Sequence, residues 1–61
     1  MFRIIEVYKN YKKYATQHFR QGVTVVPKEG DYIKIEGMII AYRVELVTFN
    51  YATGTIEISV A

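Results

Sequence analysis

At 61 residues with a net charge of +2, the chain forms a single domain, residues 1–61, of a size at which one hydrophobic core barely offsets the entropy of folding. The absence of cysteine excludes disulfides and thiolate metal sites as staples and leaves association with another chain as the commonest remaining device. No apolar run approaches the roughly 20 residues of a membrane span, and "MFRIIEVYKNYKK" lacks the order of a secretion signal, so a soluble, cytoplasmic protein without membrane contact is expected.

Ile, Val, Thr, Tyr and Phe dominate over Ala and Leu, side chains that suit a pleated, half-buried surface. Charge is split along the chain. Residues 1–21 carry Arg3, Lys9, Lys12, Lys13 and Arg20 against Glu6 alone, whereas residues 22–61 carry three cations against five carboxylates. Such asymmetry fits a nucleic-acid or acidic-partner surface, and equally the packing of two halves or two protomers.

In chain order, Phe2 to Tyr8 is a short run of β-formers that does not choose one face, as expected of a strand covered on both sides. "NYKKYATQHFRQG" admits two structures. Tyr11, Tyr14, Ala15, His18 and Phe19 recur at helical spacing with Asn10 as cap and Gly22 as stop, giving a helix over residues 10–21. A turn at "NYKK" followed by a strand through Phe19 fits the aromatic, β-rich context better, because such a helix would be short. "GVTVVP" continues or begins a strand that weakens at Pro27, which cannot donate to a ladder. "PKEGD" makes a turn, and "DYIKIEG" follows as an alternating strand with Ile33 and Ile35 on one side.

The last hairpin contains a contradiction. Apolar residues alternate at Tyr42, Val44 and Leu46, then change phase to Val47, Phe49 and Tyr51. Pairing Asn50 with Thr55 across "YATG" places Phe49 beside Ile56 and Val47 beside Ile58, with Thr48 and Glu57 on the wet side. A β-bulge between Glu45 and Val47 then returns Val44 and Leu46 to the side of Ile58 and Val60. The rival account keeps the strand regular and gives Tyr42, Val44 and Leu46 to a second chain as a self-association surface. The fold class expected from these elements is all-β, a small strongly twisted antiparallel sheet or SH3-like barrel of about five strands, with α+β as the alternative if residues 10–21 are helical.

Catalytic chemistry is poorly provided for. Cysteine is absent, Ser59 is the only serine, and His18 is the only imidazole. Glu29 and Asp31 flank a turn without a further ligand group, so no metal is expected; no cofactor is expected either, since the glycines are too dispersed to cradle a phosphate. Binding is better supported. Tyr11, Tyr14, Phe19 and Arg20 are residue types that dominate protein–protein contacts. Tyr8, Lys9, Lys12, Lys13 and His18 mix rings and cations in the manner of a surface for single-stranded DNA or RNA.

The stretch from Pro27 through Gly30-Asp31, Ile33 and Ile35, Gly37, Tyr42 and Val44 to Thr53-Gly54 resembles a pattern in small SH3-like β-barrel proteins of bacteriophages and other mobile elements. The resemblance covers the C-terminal 35 residues and rests on turn and core positions. "MIIA" before Tyr42 is longer than a tight turn needs. What it implies is a fold used for nucleic-acid modules, assembly adaptors and viral inhibitors that cover a site on a host protein. The expected function is a non-enzymatic protein–protein interaction module, a phage-type inhibitor or adaptor acting as a homodimer in the host cytoplasm. The alternative is a nucleic-acid-binding barrel.

Overall fold

The last strand organises the rest. In the computed structural model, which describes residues 1–61, Thr55–Val60 forms β5, and Ile56, Ile58 and Val60 alternate on its inner side with almost no exposure. Strands β1 (Ile4–Lys9) and β4 (Tyr42–Asn50) flank it, β2 (Lys12–His18) lies outside β1, and the two-residue β3 (Tyr32–Ile33) lies outside β4. There is no helix, so residues 10–21 form a hairpin arm and its exit rather than the α+β alternative. The order β2-β1-β5-β4-β3 curls into a half-barrel of 26 × 20 × 19 Å.

The sheet is mixed rather than wholly antiparallel, because β1 runs parallel to β5 while every other pair is antiparallel. Parallel neighbours need a long crossover, and here it is everything between the first and last strands. That pairing sets Ile5 beside Ile56 and Val7 beside Ile58, so the concave faces of three strands meet as one core. The core has seven members: Ile5, Val7, Val44, Ile56, Ile58, Val60 and Met38, the last supplied by the connection that crosses the open side of the half-barrel. The Glu36 N–H donates to the Gln17 side-chain oxygen at 3.0 Å, tying this connection to β2.

The phase change in β4 is resolved within the chain. Val44 pairs with Val60, Leu46 with Ser59, and Val47, Phe49 and Asn50 with Ile58, Ile56 and Thr55, so one extra residue, Glu45, sits at a bulge. The expected register and four-residue loop hold, with the Asn50 side-chain oxygen accepting from the Ala52 and Thr53 N–H groups. The bulge rescues Val44 and not Leu46. Opposite Ser59, Leu46 points to the convex side and is 59% exposed. A second bulge, between Val7 and Tyr8 in the pairing with β2, makes Tyr14 the extra residue there.

Two expected strands are shorter than their patterns. "GVTVVP" joins no strand; the Gly22 N–H closes a turn onto the Phe19 carbonyl at 2.9 Å and the Val23 N–H is tied back to the Phe2 carbonyl at 2.8 Å. Gly22 carries a positive φ of 93°, and a Cβ there would lie 2.6 Å from the Met1 sulfur, so the chain turns away at that point. In "DYIKIEG" the alternation of burial persists through Ile33 and Ile35, but ladder pairing stops after Ile33. Substituting Ile58→Ala removes a wholly buried side chain from the central strand and is expected to cost about 2–5 kcal/mol in urea unfolding. Leu46→Ala on the convex side should change stability by no more than about 0.5 kcal/mol.

Candidate interaction site

The basic, aromatic segment is one hairpin. Lys9 pairs with Lys12, leaving Asn10 and Tyr11 as a two-residue turn with φ of 53° and 64°. That left-handed pair is the geometry a tight hairpin requires, and Asn accepts it readily whereas Tyr does not. Tyr11 therefore occupies a strained position while its ring is wholly exposed. On the convex face behind it, the Tyr8 hydroxyl donates to Glu6 at 2.9 Å and the Lys13 ammonium bridges the same carboxylate at 3.1 Å. Burial works against the Glu6 charge, but Lys13 and Tyr8 together outweigh it and hold the carboxyl below its ordinary range. The same carboxylate raises the pKa of Tyr8 and of Lys13.

At the bulge, Tyr14 meets Tyr42 edge-on with ring centres 5.5 Å apart, and the Lys9 ammonium lies 5.7 Å from the Tyr42 ring centre. Among the residues named for nucleic-acid contact, Tyr8 and Lys13 are thus engaged with Glu6 and Lys9 with Tyr42, while Lys12 and His18 are exposed. The residues named for a protein partner do not form one patch. Tyr11 is at the hairpin tip, Tyr14 beside Tyr42, Phe19 half-buried against the core, and Arg20 exposed next to it. Of the self-association set, Tyr42 is half-buried, Val44 has 0% exposure and is unavailable to a second chain, and Leu46 is accessible.

One accessible apolar surface lies where no strand formed. Val25 is 81% exposed, and Val26 and Pro27 continue from it along the rim of the half-barrel. On one side, a cleft of about 460 Å³ is walled by Phe19, Tyr32, Ile33 and Ile35 with Ile5 on its lining. On the other, a groove of about 400 Å³ separates Val26 and Pro27 from Leu46, Val47 and Phe49 of β4. Sequence patterning assigned the valines to a strand and so concealed this surface. The available signal was Pro27, which prevents the segment from completing a ladder.

Ser59 and His18 do not meet. Ser59 is level with Tyr8 at one end of β1, and His18 with Ile4 at the other. Four residues of strand separate the two levels, about 13 Å, well beyond hydrogen-bond reach.

Two outcomes are expected. Tyr11→Gly relieves the left-handed strain and should stabilise the fold by about 1 kcal/mol, measured by chemical denaturation. The contribution of Glu6, whose folded pKa is depressed, is present above its ordinary value of 4.5 and lost as pH falls through the folded value. That of Lys13, whose folded pKa is raised, is present below its ordinary 10.5 and lost as pH rises through the folded value. Glu6→Gln should accordingly flatten both limbs of the stability profile between acid and alkaline pH. Compared with known proteins, the chain matches no family model, no curated protein and no solved structure.

Proposed function

We propose that this chain is a non-enzymatic protein–protein interaction module, of the small viral inhibitor or adaptor kind, working as a homodimer in a host cytoplasm. The observation that carries the reading is the imbalance between a seven-residue core and eleven large apolar side chains left exposed. Scattered exposed hydrophobics are ordinary, but here Val25, Val26 and Tyr32 gather around one cleft, as surfaces that receive a partner do. The target face is the Val25–Pro27 rim with Phe19 and Tyr32, flanked by Arg20.

A polypeptide suits this face better than a nucleic acid. Phosphate binding needs uncommitted cations, and of the three lysines in the candidate nucleic-acid set Lys13 is paired with Glu6 and Lys9 lies over Tyr42, which leaves Lys12. Apolar clefts with few charges instead admit side-chain anchors.

The test is capture from host lysate by the immobilised chain, with and without nuclease and across a salt gradient. A protein should be retained after nuclease treatment and in about 0.5 M salt, where screened phosphate contacts have weakened by orders of magnitude. Val25→Asp should abolish retention without loss of fold, since Val25 supports nothing in the core. Retention of nucleic acid alone, removed by nuclease or salt, would replace this reading with the nucleic-acid one.

A further inference from the structure

The sheet has two free edges, and they are built differently. On the outer side of β4, β3 covers Arg43 and Tyr42, while the Gly30 N–H donates to the Val44 carbonyl and the Val44 N–H donates to that of Asp31. Beyond Val44 the cover ends. No backbone bond joins residues 45–49 to any segment except β5, because the chain at 26–29 stands off across the groove. The carbonyls of Arg43 and Asn50 accept from Ala61 and Gly54, so these residues turn inward along the hairpin. With one residue slipped at Glu45, alternation turns the backbone groups of Val47 and Phe49 outward and those of Thr48 toward β5.

Free edges usually carry devices that discourage pairing, lysines and bulges above all. The β2 edge has both: Lys12 and Lys13 in sequence, and the bulge at Tyr14 within the strand. The stretch Leu46–Asn50 has neither a charge nor a proline, and its bulge lies at the end rather than within it.

We infer that the open edge of β4 is the surface through which two copies of this chain associate, antiparallel about a two-fold axis at Thr48. The inference rests on the homodimer reading and moves its contact from Val44 to Val47 and Phe49. The edge is self-complementary, which selects a second copy as its occupant. With Thr48 facing Thr48, Val47 of each copy lies beside Phe49 of the other on the concave face, an aromatic against a β-branched residue. In the same register the outward backbone groups of Val47 and Phe49 meet as hydrogen-bonded pairs. Charge agrees. Glu45 comes opposite Tyr51 rather than opposite another Glu45, whereas a two-fold pairing of β2 edges would bring Lys12 and Lys13 onto a strand of the same sign. Phe49, 43% exposed although its strand neighbour Ile56 is fully buried, gains cover, and the two sheets become one.

Cross-linking and solution mass test this with the intact chain, which lacks cysteine. Thr48→Cys, exposed and on the axis at a non-hydrogen-bonded position, should form an intermolecular disulfide under mild oxidant about tenfold faster than Thr16→Cys on the β2 edge. By light scattering the unmodified chain should shift from monomer to dimer with concentration, and Thr48→Lys, at an exposed position where two ammonium groups would face each other across the axis, should remain monomeric with an unchanged circular dichroism spectrum. Equal cross-linking at the two positions, or a Thr48→Lys variant that still dimerises, would overturn the inference. A chain that stays monomeric yet captures its target through Val25 would defeat it too, while leaving the interaction-module reading in place.

Discussion

Ile56, Ile58 and Val60 on β5 set the constraint that the rest of the molecule meets. They form the centre of the concave face, and each neighbour strand is positioned by what it must lay beside them. From β1 come Ile5 and Val7 in parallel register, and from β4 comes Val44 beside Val60. A chain this short has one such face to fill, so a single one-residue error of register would move an entire apolar set into water.

The bulge at Glu45 is the price of that arrangement. Regular pairing from Asn50 onward would carry Val44 to the convex side, and inserting Glu45 without a partner restores it to the core. Leu46 falls on the wrong side of the insertion and is left outside, and the β4 edge beyond Val44 is left without a neighbour. One device that completes the interior thereby leaves Leu46 in water and Val47 and Phe49 along the edge on which the dimer proposal draws.

Polar contacts tie neighbouring strands together on the convex face. Glu6 gathers Tyr8 and Lys13, and Asn50 closes the last loop while its amide donates to Glu57 at 3.2 Å. Strain sits where it costs the core nothing, at Tyr11 on the hairpin tip. Strained, exposed residues of this kind are commonly retained for contact rather than for stability.

Local pattern alone determined a good part of this protein. The all-β class, the Asn50–Thr55 register, the four-residue loop and the bulge near Glu45 all follow from period-two alternation and turn chemistry, which act between residues close in the chain. Only the tertiary structure decided that β1 lies parallel to β5, that Tyr14 is extruded at a second bulge, and that Val25 and Val26 remain outside the sheet. Alternation specifies which face of a strand is buried and is silent on which strand lies beside it. Lys13 likewise finds Glu6 only through the pairing of β2 with β1, and Lys9 finds Tyr42 only because the sheet curls to bring β1 and β4 together, so the basic segment of the sequence is partly neutralised by the fold.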